Sequence, residues 1–208
     1  LIQGAAHAQS TGAQTGESVH VEDIVVTAQR RNERLQDVPI AVAAVSGTEL
    51  LARGINSTEA LATVVPGLTV TTAGPSGKLF IRGIGADAGD PANEPSVATY
   101  VDGVYVAAPS ATIFEFSSVE QIEVLKGPQG TLFGRNATGG VVLVKTKDPS
   151  FTPGGSIEVG YANYDTFTAS AYLTAPITDK LAFNIAGQVR DQGNGFGRNL
   201  VRGDKTYM

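Results

Sequence analysis

Two patterns of apolar and polar positions divide the chain near residue 149. Before it, short apolar runs are separated by turns rich in glycine and proline. The run over residues 40–45 predicts a strand. Ser46-Gly47-Thr48-Glu49 then has the form of a capping box, with the Ser46 hydroxyl accepting from backbone N–H groups and Glu49 reaching back. A short helix runs from there to near Arg53 and stops at Gly54. A second starts at Asn56 or Ser57, carries Glu59 in its first turn and ends before Pro66. Strands are expected over residues 68–72 and 79–82, around the turn Gly74-Pro75-Ser76-Gly77. Residues 83–95 form a long loop, and residues 97–106 a hairpin turning at Asp102-Gly103. Ser117 or Ser118 is placed to cap one more helical turn. Residues 121–125 alternate as a half-buried strand does, until Lys126-Gly127-Pro128 stops them. A last apolar strand, residues 141–144, follows Gly139-Gly140 and ends in Lys145-Thr146-Lys147. Residues 38–149 thus read as a small mixed α/β domain.

Beyond residue 149 apolar residues recur at every second position over residues 156–161, 167–177 and 181–190. Ile157, Val159 and Tyr161 share a face, as do Phe167, Ala169, Ala171, Leu173 and Ala175, and then Leu181, Phe183, Ile185 and Val189. Glu158, Thr168, Ser170, Thr174, Asn184 and Gln188 take the opposite faces. Thr178-Asp179-Lys180 is a tight turn, and residues 191–199 a longer loop. Strands with one apolar face, joined by alternating short and long connections, suit a transmembrane β-barrel. A soluble up-and-down sheet has the same period.

Residues 1–8 end in Ala6-His7-Ala8 ahead of Gln9, the form of a signal-peptide cleavage site. The chain therefore reads as exported, with residues 1–8 a remnant of the leader; an alanine-rich disordered leader is the alternative. Residues 9–37 form a polar arm interrupted by one β-branched knot, Glu22-Asp23-Ile24-Val25-Val26-Thr27-Ala28. An apolar strand between polar arms predicts an exposed segment without a partner, ready to add to the sheet edge of another protein. It is equally compatible with an ordinary first strand.

Composition narrows the chemistry. The 208 residues include 25 glycines and 10 prolines, which favours short strands and tight turns over long helices. A net charge of −5 argues against a nucleic-acid surface. With no cysteine there is neither disulfide nor thiolate metal site, and both histidines, His7 and His20, lie in the polar N-terminal stretch. Residues 83–89 and 127–130 lack the spacing or ending of a nucleotide-binding loop. Asp87, Asp90 and Glu94 could bind a cation through oxygen but have no histidine partner for catalysis. No cofactor and no catalytic or metal-binding set is expected.

The segment Ile122-Glu123-Val124-Leu125-Lys126-Gly127-Pro128 through Lys147 matches V-E-V-x-[RK]-G-P…G…G…A-x-G-G-x-[IV]-x-[IV]-x-[ST]-K, with Gly134, Gly139 and Gly140 in the glycine positions. Phe80-Ile81-Arg82-Gly83 carries an I-R-G element, and residues 98–105 the Y-[VI]-D-G hairpin. In these motifs the chain resembles the TonB-dependent receptors of the outer membrane over residues 22–208.

The resemblance implies an α/β plug domain, residues 38–149, followed from residue 150 to 208 by the first antiparallel strands of a transmembrane β-barrel. Residues 22–28 then correspond to the TonB box, which pairs with the periplasmic domain of TonB. Arg82 and Lys126 correspond to the basic residues that face acids on the barrel wall; lysine at 126 departs from the commoner arginine and cannot form a bidentate fork. Asp102, Gly103, Gly127 and Pro128 are turn residues. Residues 83–95 and 107–114 correspond to the outward loops that help bind cargo. The implied function is active transport of a ferric siderophore or similar iron chelate, with cobalamin, haem, nickel complexes and oligosaccharides as family variants. The implied partners are TonB, energised by the inner-membrane proton gradient, outer-membrane lipid and the chelate. A pore-less periplasmic plug-like binding module is the alternative.

Overall fold

The computed structural model describes residues 25–28, 31, 33–73, 76–85, 94–108, 118–195, 197–198 and 205–206. The expected leader remnant and polar arm, the first part of the knot (Glu22, Asp23, Ile24), Asp87, Asp90, Ser117 and most of the two outward loops lie outside the described residues.

In chain order the elements are β1 (Val25–Val26), β2 (Glu33–Arg34), β3 (Ala41–Ser46), α1 (Gly47–Ala52), α2 (Thr58–Leu61), β4 (Leu68–Ala73), β5 (Ser76–Ile81), β6 (Val97–Val101) and β7 (Val104–Tyr105). There follow β8 (Val119–Lys126), α3 (Gly130–Phe133), β9 (Gly140–Thr146), β10 (Gly154–Ala162), β11 (Thr166–Thr178) and β12 (Leu181–Gln192). Both early helices start on serines: Ser46 Oγ accepts from the Glu49 N–H at 3.2 Å and Ser57 Oγ from the Ala60 N–H at 3.4 Å. The return half of the expected capping box does not form, because the Glu49 carboxylate pairs with Arg53 at 2.8 Å.

The centre is a five-stranded sheet in the order β3-β8-β9-β6-β7. Its strands are antiparallel except β6 and β9, which run parallel. Alternation along β8 sends Ile122 and Val124 to one face, with Val45, Val97, Val142 and Val144. α1, α2 and the β4–β5 hairpin cover this face with Leu50, Ile55, Leu61, Val65, Leu68, Leu79 and Ile81. Leu125 lies on the other face, with Ala98, Tyr100 and Val141, beneath Val26, Ala28 and Phe133. β8 is therefore buried on both faces from Ile122 to Leu125, where alternation predicted burial on one. Two further expectations are corrected. Ser118 caps no helical turn, since the chain is extended from Val119 and the Ser118 carbonyl accepts from the Lys147 N–H at 2.8 Å. The glycine-rich turn after β8 contains one helical turn, α3, which its glycines concealed.

β10, β11 and β12 form a separate antiparallel sheet. Its register pairs Val159 with Ala169 and Ala169 with Val189, and Leu173 with Ile185, so the three apolar stripes merge into one face. Ile157 (81 % exposed) and Ile185 (62 %) lie on that face, which the described residues leave open. The polar stripes merge on the other: Glu158, Ser170 and Gln188 lie in register, as do Thr174 and Asn184.

Candidate functional site

The knot at residues 25–28 is a strap laid on the second face of the sheet. β1 pairs antiparallel with β2, Val25 opposite Arg34 and Val26 opposite Glu33. Val26 and Ala28 are fully buried while Val25 remains half exposed, as alternation requires. The Thr27 N–H donates to Glu123 Oε1 at 2.8 Å and the Thr27 hydroxyl to the same oxygen at 3.0 Å. Gln121 Nε2 donates to Glu123 Oε1 at 3.1 Å and to the Val25 carbonyl at 3.0 Å. Its polar flanks left an unpartnered strand and an ordinary first strand equally open; the segment has a partner within the chain itself. Its apolar residues are buried there more cheaply than they could be left in water.

Glu123 is 3 % exposed and its Oε2 has no hydrogen-bond partner among the described residues. Burial pushes its carboxyl above the ordinary carboxylate range, against the opposing pull of the Thr27 N–H and hydroxyl, Lys145 and Gln121. Glu123 was legible only as one polar position in an alternating strand. The signal that singles it out is an acid between Ile122 and Val124 in a strand covered on both faces.

Arg82 is not within a strand: β5 ends at Ile81, and Arg82 is an exposed turn residue with φ 52° whose N–H donates to the Gly67 carbonyl at 2.7 Å. Lys126 ends β8. Partial burial, and then the charge of Arg82, lower its pKa below the ordinary lysine value. Among the described residues neither cation forms an ion pair. The Arg82 charge is thus felt at Lys126, as one cation opposing another.

Asp102 (φ 48°) and Gly103 (φ 80°) make the hairpin turn. The Asp102 carboxylate accepts from the Thr146 N–H at 2.9 Å and the Thr146 hydroxyl at 2.8 Å, so it ties the turn to the end of β9. Gly127 and Pro128 follow β8, and Gly134 follows α3. The glycine pair has a packing reason. A Cβ on Gly139 would lie 2.9 Å from the Ile84 carbonyl; one on Gly140 (φ 150°) would collide with the Leu125 carbonyl and lie 2.6 Å from Ile81 Cδ1. Glu94 pairs with Arg135 at 3.1 Å, and no group of acids or histidines that could hold a metal ion occurs among the described residues.

The exit from the domain was not anticipated. The Lys147 carbonyl accepts from Asn184 Nδ2 at 2.6 Å, and the Lys147 ammonium lies 4.9 Å from the centre of the Tyr172 ring. The Ser150 N–H donates to Thr174 Oγ1 at 2.8 Å. All three wall residues belong to the polar face of the second sheet. A cavity of about 880 Å³ opens between strap, sheet and wall, lined by Thr27, Arg31, Asp102, Glu123, Lys145 and Asn184 among others.

A small α/β domain tethered to the polar face of an antiparallel sheet, whose other face is apolar, is the arrangement of a plug set against barrel strands. The family model described as the TonB-dependent receptor plug domain matches residues 34–141. The chain is 33 % identical to the pesticin receptor of Yersinia pestis over 198 residues, 94 % of this chain and 28 % of that protein. It is 27 % identical to the iron-regulated outer membrane virulence protein of Vibrio cholerae, over 87 % of this chain and 30 % of that one. It superposes on the crystal structure of the ferric yersiniabactin uptake receptor of Yersinia pestis with a TM-score of 0.71 at 31 % identity, covering 80 % of this chain and 26 % of that one. The chain belongs to the TonB-dependent receptors of the outer membrane, which are not enzymes. It spans a little under a third of the length of these curated relatives.

Proposed function

We propose that the whole receptor takes up a ferric siderophore or similar iron chelate across the outer membrane. Residues 22–28 are the strand offered to the periplasmic domain of TonB, and residues 38–149 are the gate that TonB moves. The observation that carries this reading is the tether: Lys147 and Ser150 sit on the polar face of β11 and β12, while the opposite face presents Ile157, Ile177 and Ile185 as lipid would require. Iron is supported as cargo by the names of the relatives, a ferric yersiniabactin uptake receptor and an iron-regulated virulence protein.

The sheet gives the gate a direction. β6 runs parallel to β9, with Val97 opposite Gly140, so the described residues that lead into β6, 94–96, enter the sheet at the end away from the tether at residues 147–150. That end is the outward one in this reading, where cargo docks. Arg82 and Lys126, two cations without a described ion-pair partner, are then neutralised by acids elsewhere on the barrel wall.

The test is uptake of a radiolabelled ferric siderophore by cells in which the whole receptor is the sole route. Uptake is expected to fall to background without TonB, and with Val26→Pro, while chelate binding at the cell surface persists. Uptake that is indifferent to TonB overturns the coupling. Binding of haem or cobalamin in place of every ferric siderophore overturns the cargo.

A further inference from the structure

One buried carboxylate holds the strap. Glu123 Oε1 takes three donors, the Thr27 N–H, the Thr27 hydroxyl and Gln121 Nε2, whereas Oε2 is buried and takes none among the described residues. Strand addition needs free backbone donors and acceptors. The Val25–Val26 ladder already serves Glu33–Arg34, the Val25 carbonyl also serves Gln121, and the next donor along, the Thr27 N–H, is committed to Glu123. We propose that Glu123 is the positioning residue that keeps the coupling strand docked on the plug, so that the strand reaches its partner only after this contact opens. The consequence for TonB rests on the reading of residues 22–28 given above; the docking itself stands on the contacts.

The lone-pair arithmetic gives the latch a pH signature. A neutral carboxyl keeps Oε1 as an acceptor for Thr27 and removes the buried charge from Oε2, which no donor stabilises. Burial raises the Glu123 pKa in the docked state and outweighs the two Thr27 donors, which pull it down. Lifting the strap admits water to the carboxyl, so its pKa falls back toward the ordinary value. The docked state therefore binds the proton more tightly. Docking is strongest below the ordinary carboxylate pKa and weakens as pH rises through the raised one. The charged groups around it are Lys145 on β9, paired with Glu120 and Asp148, together with Arg31, Asp102 and Lys147 around the cavity. Glu123→Gln fixes the neutral form at Glu123 and leaves these unaltered.

The experiment uses the whole receptor in detergent without TonB, with a nitroxide on Val25→Cys as its single cysteine; residues 1–208 contain none and Val25 is 50 % exposed. The immobilised fraction of the spectrum measures docking. Glu123→Ala is expected to lower the docked-to-free ratio by about tenfold or more, the worth of the two Thr27 hydrogen bonds it removes. Glu123→Gln is expected to hold the strap as the wild type does at low pH, with no pH dependence. Thr27→Pro removes both Thr27 donors, the N–H and the hydroxyl, without touching the sheet and is expected to free the strap as Glu123→Ala does. An immobile label in both Glu123→Ala and Thr27→Pro overturns the proposal. So does a Glu123→Gln strap as mobile as that of Glu123→Ala, or a wild-type spectrum that does not change with pH. A strap that is freed but still fails to bind the TonB periplasmic domain would overturn the partner-strand reading and leave the latch standing.

Discussion

The two faces of the central sheet are closed by unlike means. The first lies under α1, α2 and the β4–β5 hairpin, whose Leu50, Leu61, Val65 and Ile81 are at most 2 % exposed. The second lies under one helical turn and a strap whose two inward residues, Val26 and Ala28, carry together as many side-chain carbons as Leu61 alone. What the strap lacks in apolar area it makes up in a polar hook to Glu123, and hydrogen bonds, unlike buried area, are exchanged for water at little net cost. The comparison separates a cover that holds the domain together from one that can be lifted while the sheet stays intact. For a plug pulled from its N-terminal side, as proposed above, that is a workable division of labour.

The largest expected break in this contrast comes from Leu61→Ala, at 1 % exposure in the first cluster. A cavity there costs about 2–5 kcal/mol. Hydrogen exchange in the whole receptor should accelerate in β8 and β9 alike, since both strands rest on that cover. Val26→Ala should cost about 1–2 kcal/mol, the transfer of two methylene equivalents. Its effect should stay at the Thr27 amide and leave β8 protected. If β8 exchanges as fast in Val26→Ala as in Leu61→Ala, the strap is part of the fold and not a removable cover.

How much of this was legible depends on what each element packs against. The wall strands were readable in full because one of their faces is apolar and the other polar, and register alone had to be added to merge three stripes into one. β8 was found by its alternation, but alternation reports only that residues point to two sides, not that both sides are covered. Residues 25–28 could not be told apart as free or docked, because their polar neighbours hide a long-range contact: Thr27 and Glu123 lie 96 residues apart. Arg82 was placed in a strand by its apolar neighbours, yet its φ of 52° makes it the turn. Such a conformation leaves no trace in a hydropathy pattern. Asn184, Thr174 and Tyr172 carry the tether from ordinary polar-face positions, distinguished only by what the linker brings beside them.

The smallest effect tests whether the second face is one cover or two. The Tyr100 hydroxyl donates to the Phe133 carbonyl at 2.6 Å, and its ring lies 5.4 Å from that of Phe133 and 5.5 Å from that of Tyr105. Tyr105 in turn is held by Asn136, whose Nδ2 donates to its hydroxyl at 2.7 Å. This group fixes α3 on the sheet beside the strap, with which Phe133 shares a cluster. Tyr100→Phe keeps the ring and removes the bond, at a cost of about 1 kcal/mol. If the two covers are independent, the Phe133 and Gly134 amides, which close α3 on Gln129 and Gly130, should exchange roughly five- to tenfold faster, the equivalent of that energy. A nitroxide at position 25 should keep its immobilised fraction. Release of the strap by Tyr100→Phe would mean that α3 and the strap lift together. The movable part of the plug would then extend from the N-terminal segment to the glycine-rich turn after β8.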